Sequence, residues 1–152
     1  VKYHYPIAER FLAYAKHKSD YSADFSPVII VILKIINPKW NGEGFRYSYN
    51  RQELEISSRH IKYLKGTNHP ASGYSIIRFM RINKLILSGS SIQDLDQLES
   101  LDLHTLDLRK SSITDFSKLY KLNNLSEIII SEDQFTEAQI NAVPKSIKVQ
   151  TL

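Results

Sequence analysis

An L-x-L doublet followed, seven positions after its first residue, by an apolar anchor recurs along this chain and constrains its fold more than any other feature. Leu85-Ile86-Leu87 leads to Ile92, Leu106-Asp107-Leu108 to Ile113, and Ile128-Ile129-Ile130 to Phe135. Upstream, Leu54-Glu55-Ile56 leads to Ile61, and Ile147-Lys148-Val149 opens a fifth unit. The doublets begin at 54, 85, 106, 128 and 147, so the steps are 31, 21, 22 and 19 residues. In a strand of this pattern the outer two side chains face one way and the middle one the other. One such strand buries too little to stand alone, whereas parallel stacking of several shares a continuous apolar core. The pattern therefore predicts an α/β repeat solenoid of about four units plus a terminal strand over 54–152, with 1–53 as a helical and hairpin cap, in one continuous domain.

The second and third units run Leu85, Leu87, Ile92, Leu95, Leu98, Leu101 and Leu106, Leu108, Ile113, Phe116, Leu119, Leu122. Asp94 and Asp115 both stand two residues after the Ile anchor, where a carboxylate can accept from the free N–H groups of a short helical turn. Their recurrence at the repeat period favours that structural role over a catalytic or metal-binding pair. The stretches LILSGSSIQDLDQL and LDLRKSSITDFSKL resemble the leucine-rich repeats, of roughly 22 residues, of bacterial proteins such as internalins. The resemblance implies parallel strands on a concave face, short helical turns on the convex side, and a partner-binding role. The ladder Asn of that family is Ser90, Ser111 and Asp133 here, and Arg59 in the first unit. Ser and Asp can still accept backbone hydrogen bonds in the turn, whereas Arg cannot, which marks the first unit as a terminal one. The stretch from Asn37-Pro38-Lys39-Trp40-Asn41-Gly42 through LEISSRHI is also similar to leucine-rich tails of some bacterial serine/threonine protein kinases, although no kinase motif is present.

Before the repeats the chain changes character. Residues 1–81 carry 13 Lys/Arg against 6 Asp/Glu, and residues 82–152 carry 7 against 10, which together give the net +4. Residues 5–18 read as an amphipathic helix with Ile7, Phe11, Tyr14 and Ala15 on one face. A second helix is predicted from Ser26-Pro27, with Ser26 as N-cap, to the Asn37-Pro38 stop. Its run Val28-Ile29-Ile30-Val31-Ile32-Leu33 is apolar all round, which predicts cover on most sides and a plug on the open end of the solenoid. Asn41-Gly42-Glu43-Gly44 is a turn, Phe45 to Tyr49 alternates as a strand, and Asn50-Arg51-Gln52 returns it as a hairpin. The long first step places an insertion at 62–73, rich in Gly, Pro and Asn, hence a loop that is either functional or merely tolerated. Near the end Thr136 and Gln139 form a capping box, and Pro144 closes that helix. The final strand would leave a sheet edge unpaired unless something covers it.

Chemistry-bearing motifs are few. The five His (4, 17, 60, 69 and 104) have no metal-ligand spacing, and there is no nucleophile elbow or glycine-rich phosphate loop. With no Cys, thiol chemistry and Cys-ligated metals are excluded. The pair Glu53/Glu55 lacks a pocket, so no catalytic residue, cofactor or metal is assigned. The longest apolar run is too short to span a bilayer. The chain begins with Val1 and its single Met is Met80, so the compartment is left unassigned and other domains of a longer chain stay open as partners.

The expectation is a non-enzymatic module that binds a protein partner on the concave sheet. The outward stripe would be Glu55, Lys84, Ile86, Thr105, Asp107, Arg109, Glu127, Ile129, Lys148 and Gln150. Glu55, Ile86, Asp107, Arg109, Ile129 and Lys148 are the candidate contacts, with Ile86 and Ile129 pointing to solvent. Against it stands single-stranded nucleic-acid binding by Arg46, Tyr47, Tyr49 and Arg51 of the basic, aromatic cap. A regulatory or spacer tail of a larger protein is a third reading.

Overall fold

A computed structural model describes residues 24–65 and 75–152. The helix expected at 5–18 and most of the 62–73 insertion lie outside the described residues. The chain is α/β, with one six-stranded sheet in the order β1 (Phe45–Ser48), β2 (Glu53–Ile56), β3 (Lys84–Ile86), β4 (Thr105–Asp107), β5 (Glu127–Ile130) and β6 (Lys148–Thr151). The first pair is antiparallel, as the turn residues between its strands predict, and every later pair is parallel.

The doublets set the register. Leu54, Leu85, Leu106 and Ile128 are successive partners across β2 to β5, so each first Leu or Ile lies beside the next. The partner of Ile128 on β6 is Val149, which corrects the fifth doublet from 147 to 149 and its step from 19 to 21 residues (149 − 128). A two-residue slip leaves each side chain on its face, so Lys148 and Gln150 still point outward. Ile147, displaced from the doublet, is buried just before the strand.

One apolar cluster runs from Ile29 to Ile147, on the side of the sheet to which the doublets point. Short helical turns at Ile76–Phe79, Leu95–Leu98 and Leu119–Lys121 return the chain over it. Asp94 caps the second, accepting from the Asp96 amide at 2.9 Å, and Asp115 accepts from the Ser117 amide at 2.8 Å, the role their spacing predicts. Helix α2 (Glu137–Asn141) begins at Thr136 with both halves of the capping box formed, and its C-cap, Ala142, lies two residues before Pro144.

Helix α1 (Ser26–Ile36) forms despite its β-branched run because Pro27 suits a first turn and the residue before Pro38 cannot stay helical. The N-cap is Phe25 rather than Ser26, and Asp24 Oδ1 instead accepts from the Ser26 amide at 2.8 Å. Ile29, Ile32 and Leu33 face the core, but Val31 is 57% exposed. Cover on most sides is therefore an overstatement, and the helix packs against the Ile76–Phe79 turn along one face. Its stop residue does more than stop. Buried Asn37 donates from Nδ2 to the carbonyls of Leu33 (3.0 Å) and Tyr63 (2.9 Å) and accepts at Oδ1 from the amides of Lys62 (2.9 Å) and Tyr63 (3.0 Å). All four hydrogen-bonding sites of the amide are used, which clasps the helix to the end of the first repeat.

The polar residues expected to accept backbone hydrogen bonds in the turns do not do so. The hydroxyls of Ser90 and Ser111 are buried without a partner. Asp133 is exposed with φ of +56°, and its neighbour Gln134 takes the ladder role. Gln134 Nε2 donates to the Leu108 carbonyl at 2.8 Å, and its Oε1 accepts from the Ser131 amide at 3.1 Å, joining adjacent units. Gly44 ends the turn before β1 with φ of +73°, and a Cβ there would sit 2.9 Å from Ser57 Oγ and 3.1 Å from the Ser58 amide nitrogen. No other residue fits that position without strain.

Candidate functional site: the open sheet face

The middle residues of the doublets and the residues that precede each doublet form two rows on the face opposite the core. One row is Arg46, Glu55, Ile86, Asp107, Ile129 and Gln150, and the other is Ser48, Glu53, Lys84, Thr105, Glu127 and Lys148. The register thus brings Glu55, Ile86, Asp107 and Ile129 side by side and puts Lys148 at the β6 edge of the second row. Arg109 follows two residues after Asp107 on the same face.

Charges in the second row alternate. Glu53 lies 3.4 Å from Lys84 Nζ, and Glu127 lies 3.0 Å from Lys148 Nζ. In the first row Arg46 donates from Nε and Nη2 to both Glu55 oxygens at 2.7–3.0 Å. These groups are at least partly open to water, where such pairs contribute little.

The centre is different. Asp107 is fully buried, and Ile129 is only 7% exposed. Both depart from the expectation of a solvated stripe, because six strands at ladder spacing let the side chains of one row shield one another. Ile86 keeps partial exposure. Asp107 accepts from Arg109 Nε (3.0 and 3.2 Å), from Nη2 (2.6 Å) and from the Arg109 amide (3.1 Å). These hydrogen bonds, and then the carboxylate charge, raise the Arg109 pKa above its ordinary value.

The alternative set does not converge on one surface. Arg46 is engaged by Glu55 on the open face, and Arg51 reaches Glu53 at 4.0 Å. Tyr47 donates from its hydroxyl to the Arg81 carbonyl at 3.0 Å, and burial raises its pKa. Tyr47 and Tyr49 instead line a cleft of about 670 Å³ with Phe25, Phe79, Arg78 and Arg81. The two arginines on that cleft have no sequence signal, since they belong to the long first connection.

On the side of the turns a charged network joins successive units. Lys118 contacts Asp94 and Asp96, and Lys121 contacts Asp96 at 2.9 Å and Glu99 at 3.9 Å. Hydrogen bonds from Lys118 and Lys121 lower the Asp96 pKa to about 2, and bonds to Asp96 and Asp94 raise Lys118 to about 12. Among the described residues no group of three His, Asp or Glu is placed to hold a metal, and no helix is long and apolar enough to cross a membrane. No protein-family model matches the chain, and no curated protein matches it in sequence.

Proposed function

We propose that the chain is a short leucine-rich-repeat module, without catalytic activity, that binds a protein partner on the open face of its sheet. The observation that carries this reading is the asymmetry of the sheet. One face is packed on the apolar cluster, while the other presents a mixed row of aliphatic and paired charged side chains centred on Ile86, Asp107, Arg109 and Ile129. Apolar groups beside arginine at the middle of a patch are the usual centres of binding energy. Repeat sheets offer such faces as extended contact surfaces. A regulatory or spacer role inside a longer protein would use the same face against another domain.

The test is capture of partners from an extract of the source organism by three immobilised proteins. Ile86→Glu should lose the partners held by wild type, because it alters the half-buried centre of the face. Tyr120→Ser, at a 68% exposed position on the turn side, should keep them. The opposite outcome overturns the reading. The second reading, single-stranded nucleic-acid binding, draws support from the aromatic and arginine lining of the cleft. Anisotropy with short DNA and RNA at low salt separates the two. Binding that falls steeply with salt and is weakened by Arg81→Ala would favour the cleft.

A further inference from the structure

Taking the open face as the contact surface, its chemistry points to one kind of ligand group. The flanking positions of the central row are Ile86 and Ile129, and between them stands a fully buried carboxylate, Asp107. Removing a carboxylate from water is costly, and replacing a buried ion pair by well-packed apolar groups is often neutral or stabilising. A third aliphatic residue would serve the fold at least as well. What Asp107 does accomplish is to fix Arg109. Its oxygens hold Nε, Nη2 and the Arg109 backbone amide at once, so the guanidinium is anchored at both ends of its own side chain.

That pairing consumes the Nε–Nη2 edge. The remaining edge, formed by Nη1 and the second Nη2 proton, has no protein partner among the described residues, and the side chain is 41% exposed. Ser88 and Ser131, each two residues beyond Ile86 and Ile129 in the chain, are both partly exposed. A planar guanidinium edge matches a carboxylate through two parallel hydrogen bonds.

We infer that the free edge of Arg109 is a carboxylate receptor, engaging one Asp or Glu side chain of a partner segment whose adjacent apolar side chains rest on Ile86 and Ile129. Asp107 is then a positioning residue, which removes in advance the rotamer entropy that Arg109 would otherwise lose on binding. The charges of this face are paired one for one, Arg46 with Glu55, Lys84 with Glu53, Lys148 with Glu127 and Arg109 with Asp107, so it has no excess of positive charge to hold a polyanion such as nucleic acid, whereas a single carboxylate needs only the open edge of one guanidinium. Arg46, the other arginine of the face, is 75% exposed and joined to a partly accessible glutamate, so it lacks a comparable anchor.

The experiment pans a displayed library of random heptapeptides against wild type, Arg109→Lys, Asp107→Asn and Ile86→Glu, each checked for folding by circular dichroism. Wild-type binders should share an Asp or Glu at one position, and its replacement by Asn or Gln should weaken binding at least tenfold. Arg109→Lys should lose the same binders, because lysine cannot present a fork. Asp107→Asn should weaken them, and nitrogen relaxation at Arg109 Nε should report a side chain that has become mobile in a folded protein. If Asp107→Asn fails to fold, Arg109→Lys, which leaves the acid paired, carries the test. Binders without an acidic position, or with equal affinity for Arg109→Lys, overturn the carboxylate inference. If such binders are still lost with Ile86→Glu, the open-face reading stands without it. Binders indifferent to every variant, or no binders at all, overturn both.

Discussion

Two ionic sites lie on opposite sides of the same stack, and their differences are informative. On the turn side, Lys118 and Lys121 reach back 22 and 25 residues to Asp96, so each contact ties one unit to the previous one. These groups keep about a third of their side-chain surface in water. On the open face, Asp107 binds a residue only two positions away, joins no units, and is fully buried. The first arrangement fits cohesion between repeats at modest energy. The second adds nothing to cohesion and sits where desolvation is most expensive. Ion pairs on one molecule can thus answer to different demands, and burial together with sequence separation tells them apart.

Four measurements sharpen or break that contrast. The reference is the core side of β4. Leu106→Ala or Leu108→Ala should cost about 2–5 kcal/mol in urea unfolding, since each fully buried side chain faces the shared core. A loss under about 1 kcal/mol would mean that the stack is not held by its doublets. Next, the central pair should respond asymmetrically. Arg109→Ala strands a buried carboxylate and should cost about 3 kcal/mol. Asp107→Ala leaves an arginine that can turn into solvent and should cost less, about 1–2 kcal/mol. Equal losses would contradict the buried-acid description.

The turn-side network should show smaller effects and a pH signature. The Asp96 pKa is depressed from 3.8 to about 2, so its contribution is present above pH 4 and disappears as pH falls through 2. Asp96→Asn should therefore lower stability by less than about 1 kcal/mol at neutral pH and flatten the acid limb of the stability curve between those values. An unchanged acid limb would remove the network from the stability account. Smallest of all should be Arg46→Ala, within about 0.5 kcal/mol, because the guanidinium of this pair is 75% exposed. A loss as large as that of Arg109→Ala would erase the distinction between the two arginines of the face.

The doublets made the strands, their order of stacking and the core side readable in advance, because a two-residue period and a repeat step both leave marks in the sequence. The phase of the last doublet is ambiguous in the sequence, because Ile147 and Val149 are both apolar and satisfy the same alternation. Cross-strand shielding was not readable. Asp107 looks like any middle residue of a doublet, and its burial depends on Ile86 and Ile129, which stand 21 and 22 residues away. The Asn37 clasp and the Gln134 ladder were hidden for the same reason, as their partners are carbonyls and amides that any residue type supplies. The basic, aromatic run from Arg46 to Arg51 was legible as composition but not as a surface, because alternation sends Arg46 and Tyr47 to opposite faces.

The strands of this sheet are three or four residues long, and that length sets a scale for recognition. At about 4.8 Å between strands and 3.3 Å per residue, six strands make a platform of roughly 24 by 13 Å. Its area, on the order of 300 Å², is less than half of the roughly 800 Å² that each partner contributes to a standard protein interface. A globular partner docked there would overhang the platform on two sides and depend on the loops at both strand ends for the rest of its footprint. A slender ligand, such as one extended segment lying across the ladder, matches the width of the strip without that help. Selectivity would then be decided by a handful of side chains.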